Sequence, residues 1–252
     1  MNKEEIIGIM GAMPQEIDLI LELVDAPTSV EIGNRIYHTG FINKHKVVIV
    51  FSRWGKVAAA ATTTTLILKF NVTKIIFTGV AGAIDPNLTI GDIVIGQRFF
   101  QHDMDARPLM QEFEIPLLQK LHFESDLVFS KYIYDRINQS DLSTWPLDQN
   151  TNNSTSIQSS SPKIYVGDIA SGDHFFASSD SKLKLKEKLP SVCCVEMEGA
   201  SVAQVCYEFT IPFAVIRVIS DKADGQSSAN FEWFIENIAG RFSKEIIKCI
   251  LS

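Results

Sequence analysis

Short apolar runs rich in β-branched residues recur at 6–10, 37–41, 47–51, 74–78, 92–100, 164–171, 192–196 and 213–220, with Gly, Pro and Asn at their margins. Such runs predict strands. Between several of them the apolar residues take helical spacing, at 15–24, 57–70, 116–138, 181–188, 197–209 and 231–251. Strands alternating with helices predict an α/β fold: a mixed, mostly parallel central sheet flanked by helices. Uninterrupted runs such as Pro212-Phe213-Ala214-Val215-Ile216 suit strands buried on both faces.

One stretch breaks the pattern. From 138 to 162 the chain turns to Ser, Asn, Thr, Gln and Asp, too little apolar surface to offset the entropy of ordering. It is expected to be a flexible surface insert in a single domain spanning 1–252. No internal repeat is present.

Composition narrows the function. The net charge of -7 comes without any cluster of Lys and Arg, which excludes a nucleic-acid surface and favours a small-molecule partner. No apolar run reaches membrane-spanning length, and residues 6–10 are too short and wrongly flanked for a secretory signal. Cys193, Cys194, Cys206 and Cys249 lack C-x-x-C spacing. They are expected to be reduced core residues, without disulfide or metal, in a cytoplasmic protein.

The candidate chemistry is acidic. Glu198 and Asp221 follow buried strands, and Glu16 follows the first strand. Sheets of this kind build their sites outside the carboxyl ends of their strands. Thr78-Gly79-Val80-Ala81-Gly82-Ala83 is expected to be a tight turn whose backbone can approach a ligand; it is neither a P-loop nor a dinucleotide fingerprint. Gln101-His102-Asp103-Met104-Asp105 holds possible metal ligands, but no second His cluster accompanies it, and a structural role is expected.

Five segments stand together in order: Gly8 to Met13 with Glu16, Gly55-Lys56-Val57-Ala58-Ala59-Ala60, Thr78 to Gly82, Ser171-Gly172-Asp173-His174-Phe175, and Val195-Glu196-Met197-Glu198 ahead of Ile219-Ser220-Asp221. In these the chain resembles the nucleoside phosphorylase/hydrolase superfamily, most closely the bacterial 5'-methylthioadenosine/S-adenosylhomocysteine nucleosidases. The resemblance covers all but the polar insert. It implies a cofactor-free and metal-free homodimer that hydrolyses these nucleosides to adenine in the recycling of S-adenosylmethionine by-products.

The resemblance also implies roles. Asp221 protonates adenine N7, Glu198 holds the ribose hydroxyls, and Glu16 orients and deprotonates water. Phe175 stacks on the base, the Phe176 backbone hydrogen-bonds its edge, Met197 backs the sugar, and Phe231 closes as a lid. Further substrate contacts fall at Ala12, Trp54, Gly82 and Ser220. Ala106, Leu109 and Pro116 reach the neighbouring subunit's 5'-alkylthio pocket. Asp221 must then hold a proton near neutrality, a rise of roughly three units over an ordinary Asp, or about 4 kcal/mol, which desolvation at the end of an apolar strand can supply.

The chain departs from the family pattern at Val80, where many relatives carry Ser, at Trp54, where an aliphatic residue is frequent, and at Gly199, where Ala is usual. Two alternatives stand beside the hydrolase. A purine nucleoside phosphorylase would need cations for phosphate; Phe77 stands where hexameric phosphorylases resembling this chain carry an Arg, leaving Arg53 and Arg217, and Arg217 is open instead to pairing with a carboxylate. A non-catalytic surface-binding protein on the same fold is the other. Choice among methylthioadenosine, S-adenosylhomocysteine, 5'-deoxyadenosine and aminodeoxyfutalosine is not encoded in any motif.

Overall fold

The computed structural model describes residues 4–145 and 161–252. The strands are β1 (Ile6–Gly11), β2 (Asp25–Ile32), β3 (Arg35–Ile42), β4 (His45–Phe51), β5 (Lys74–Ala83), β6 (Ile93–Gln101), β7 (Phe123–Glu124), β8 (Ile164–Ser171), β9 (Val192–Glu196) and β10 (Phe213–Asp221). The helices are α1 (Pro14–Leu21), α2 (Lys56–Phe70), α3 (Leu127–Asn138), α4 (Ser179–Lys188), α5 (Gly199–Phe209), α6 (Ser227–Phe234) and α7 (Gly240–Leu251). A π-helical turn, Ile235–Ala239, joins the last two.

All ten strands share one mixed sheet in a single-domain α/β fold. Among the described residues five ladders are parallel (β1 with β4 and β5, β5 with β10, β8 with β6 and β9). Five are antiparallel (β10 with β6, β5 with β9, β6 with β7, β3 with β2 and β4). Because β10 pairs with both β5 and β6, the run β5-β10-β6-β8-β9 closes on itself, and β1-β4-β3-β2 extends from it as a flap. Closure brings the ends of β5, β8, β9 and β10 to one rim: Gly82 pairs with Val195 and Asp221, and Ser171 with Glu196.

The core explains the helices. In α7, Phe242, Ile246 and Ile250 recur at i, i+4, with Ile247 and Leu251 alongside, and all are buried. This stripe packs on α1 and α3; truncating Phe242 to Ala would cost about 3 to 5 kcal/mol. All nine residues of β10 are buried, as its uninterrupted apolar run implies for a strand covered on both faces.

Three expectations need correction. The stretch 116–138 is helical only from Leu127; before it lie loops and β7. Leu117 and Leu121 are exposed, so their spacing had no core to face. The Gly-rich segment 78–83 is no turn, because β5 runs straight through it, paired first with β10 and then with β9. Strand β2, unforeseen, is polar and almost wholly exposed. Of the proposed insert, residues 146–160 lie outside the described residues; before them Leu142–Thr144 forms a 3-10 turn and Trp145 is buried edge-on against Phe242.

Candidate active site

Glu16 owes its place to the start of α1. Pro14 at the first helical position needs no N–H partner. Two residues on, the Glu16 carboxylate folds back over the helix end: Oε2 accepts from the N–H groups of Ala12 (2.6 Å) and Met13 (2.8 Å). Oε1 accepts from Val80 N (3.2 Å) across the β1 to β5 junction. Burial raises the Glu16 pKa, against the pull of the Arg217 guanidinium and these three N–H groups. Gly79 makes room for the pair, since a Cβ there would stand 2.9 Å from both Glu16 Oε1 and Arg217 Nη1.

Arg217 interrupts the apolar run from Phe213 to Ile219, and it is 1 % exposed. Its Nη2 donates to Glu196 Oε2 at 2.6 Å, and its guanidinium lies 4.0 Å from the centre of the Phe77 ring. Glu196 is further held by the Ser171 hydroxyl and by the N–H groups of Glu198 (3.1 Å) and Gly199 (2.8 Å). It therefore caps α5 with an anion where the helix dipole favours one.

Glu198 precedes α5 and is also buried. Its Oε1 accepts from Gly55 N at 2.8 Å. Burial, and secondarily the charge of Glu196, push its pKa from 4.5 up to about 8. Asp221 closes β10 past a register shift after Ile219. Its Oδ2 accepts from Ser220 Oγ (2.8 Å) and its Oδ1 from Ala223 N (2.8 Å). Burial lifts its pKa above the usual carboxylate range, opposed by the Ser227 hydroxyl and then by those two hydrogen bonds. The direction suits a group that must keep a proton.

The three acids line one cleft together. Every substrate contact inferred within this subunit lines the same cleft: Ala12, Trp54, Phe175, Phe176, Met197, Ser220, Phe231 and Gly82, the last beside Asp221 Oδ1. Rings at the mouth meet edge to face, with Phe231 5.5 Å from Phe175 and 6.3 Å from Trp54. Trp54 Nε1 points at Met13 Sδ, 2.6 Å away. Ala106, Leu109 and Pro116 lie outside this cleft, and Leu109 is 87 % exposed.

Glu196, Met13 and His174, given no role from the sequence, also line the cleft, and Arg217, open from the sequence to holding phosphate or pairing with a carboxylate, pairs with Glu196. An arginine amid nine buried strand positions was the available signal. Arg53 is not at the cleft; its Nη2 donates to Asn34 O at 2.7 Å.

Buried acids at the rim of a partly closed mixed sheet, facing aromatic rings across an apolar cleft, define the site of a phosphorylase-type α/β protein. Residues 6–251 match the family model described as the phosphorylase superfamily, and the chain belongs to that superfamily. It is 34% identical over 241 residues to a 5'-methylthioadenosine/S-adenosylhomocysteine nucleosidase of Staphylococcus aureus, covering 95% of this chain and 96% of that one. The Streptococcus pneumoniae MTA/SAH nucleosidase, solved with 8-aminoadenine, superposes with a TM-score of 0.83 at 33% identity, covering 97% of this chain and 98% of that one. A futalosine hydrolase of Helicobacter pylori gives 0.84 at 31% identity, covering 98% and 97%. Within the superfamily the chain is a member of the 5'-methylthioadenosine/S-adenosylhomocysteine nucleosidase family.

Proposed function

We propose that this chain is an N-ribosyl hydrolase that uses water to release adenine from 5'-methylthioadenosine and S-adenosylhomocysteine. Asp221 donates its proton to adenine N7, the C1'–N9 electron pair leaves with the base, and positive charge spreads over the sugar. Glu198 holds the ribose hydroxyls, and the positive charge growing on the ring favours its ionised form, which steadies that ring in turn. Glu16 takes a proton from the water whose oxygen bonds to C1'. The products are adenine and the free thioribose.

The observation that carries this reading is the lining of the cleft: Glu16, Glu196, Glu198 and Asp221 border it, and among the described residues no Lys or Arg does. Arg217 lies behind the wall, engaged with Glu196. Such a lining offers phosphate no cation and suits water activation, which disfavours the phosphorylase alternative.

Phe175 offers a face to the base and Phe176 its backbone, while Met197 and Phe231 bracket the sugar. The segment 221–231 closes as a lid before the bond breaks. The working unit is a homodimer in which Ala106, Leu109 and Pro116 reach the neighbour's 5' substituent; the exposure of Leu109 and Leu117 supports a covered surface there. The four unpaired cysteines suit a reducing cytoplasm.

Pure protein incubated with methylthioadenosine, with and without phosphate, decides between the reactions. Free methylthioribose at equal rates in both supports hydrolysis; the 1-phosphate, appearing only with phosphate, overturns it.

A further inference from the structure

Behind the cleft, three charged residues close a ring of contacts around the start of α2. The cap residue of this helix is Gly55, which has no side chain to satisfy the first N–H groups. Asp173, from the loop after β8, supplies the acceptor instead: its Oδ1 takes the Lys56 N–H at 2.8 Å. Asp103 holds both partners, accepting from Lys56 Nζ at 2.6 Å and from Asp173 N at 2.9 Å. Gly55 has a φ of +90°, and a Cβ there would lie 2.9 Å from Asp173 Oδ1, so glycine is what lets the carboxylate over the helix end.

The N–H of Gly55 points the other way, into the cleft wall, and donates to Glu198 Oε1 at 2.8 Å. Among the described residues it is the one hydrogen bond made to that carboxyl group. A buried carboxyl with a single fixed partner takes its orientation from that partner, and its second oxygen is left for ligand hydroxyls. We propose that Asp173 is a positioning residue for the ribose-holding group Glu198, acting through the Gly55 N–H, with Asp103 and Lys56 as its brace. The proposal rests on the reading of Glu198 given above. It also gives the Gln101 to Asp105 segment a part in the reaction that no metal is needed to explain.

The test compares a riboside with the bare base. 5'-Methylthiotubercidin carries carbon in place of N7, cannot be protonated there and so reports binding alone; free adenine reports the base subsite. In calorimetric titrations Asp173→Ala should weaken the riboside roughly tenfold, as expected for loosening one hydrogen bond to the ribose. Adenine should change by less than about twofold. Asp173→Asn keeps an oxygen for Lys56 N–H and should recover most of the loss. In a Glu198→Ala background Asp173→Ala should cost less than about twofold, because the group it positions is gone. Should Asp173→Ala fail to fold, Asp103→Ala, expected to weaken the riboside about threefold only when Glu198 is present, takes its place. Equal losses for adenine and riboside, equal losses with and without Glu198, or no loss at all would each overturn the proposal. If the wild type binds the riboside in this pattern yet releases no adenine from methylthioadenosine, the hydrolase reading falls and the positioning role stands.

Discussion

Replacing Asp221 by Asn removes one proton and little else. The side chain is 2 % exposed, and its two oxygens accept from Ser220 Oγ and Ala223 N, each at 2.8 Å. An Asn can keep its carbonyl oxygen on Ala223 N–H, and the Ser220 hydroxyl can turn to accept from the new amide. Cleft shape and ligand affinity should therefore survive. What disappears is general-acid catalysis, worth about 10² to 10⁴ in rate, or roughly 3 to 5 kcal/mol of barrier. Adenine release at saturating methylthioadenosine should fall by that factor, followed chromatographically, while the Kd for 5'-methylthiotubercidin stays within about threefold. The pH profile supplies a second check. Burial raises the Asp221 pKa, so the protonated, active form persists above the ordinary Asp range and kcat/KM declines as pH rises through the raised value. The variant should lose that limb. Turnover within tenfold of wild type, or an unchanged alkaline limb, refutes the assignment of Asp221 as proton donor.

Glu16→Gln should lower kcat at least about a hundredfold with little change in riboside affinity, and should abolish the acid limb, because a base of raised pKa is lost as pH falls through that value; full turnover would exclude Glu16 from water activation. Glu198→Gln should become progressively more stable than wild type as pH rises. The folded pKa of about 8 lies above the ordinary 4.5, so folding binds a proton across that window and wild-type stability is lost through it, by about 5 kcal/mol at the upper end. Urea curves that keep a constant separation between pH 5 and pH 8.5 would contradict this. Arg217→Met should cost about 3 to 5 kcal/mol by stranding Glu196, and adding Glu196→Gln should restore a large part; additive losses in urea unfolding would show that the pair is not coupled.

Much of the fold was legible because its strands are apolar on both faces. The runs 164–171 and 192–196 became β8 and β9 with the expected limits, and β10 gained only Asp221. β2 was hidden, since Asp25-Ala26-Pro27-Thr28-Ser29 carries no apolar alternation and is paired on one side only. The Gly-rich part of β5 looked like a turn because glycine weakens strands, whereas here it admits Arg217, Glu16 and Asp221 to the sheet surface. The three acids could be found from their places after strands. That Arg217 could pair with a carboxylate was legible too, but its partner Glu196 and the Asp173 brace were not, because each depends on residues from different strands and loops meeting across the closed ring.

That ring has a bearing on how the protein keeps to itself. Bending β5 through β10 into a closed circuit spends one margin of the sheet, so among the described residues β2 is the one long strand with an unpaired flank. Nearly every residue on it is exposed, with Asp25, Pro27 and Glu31 spaced along it. A proline withholds a donor and acids repel a like copy, which makes this flank a poor template for a strand from another molecule. Growth of the sheet from chain to chain is thus discouraged by the same residues that hid the strand from view.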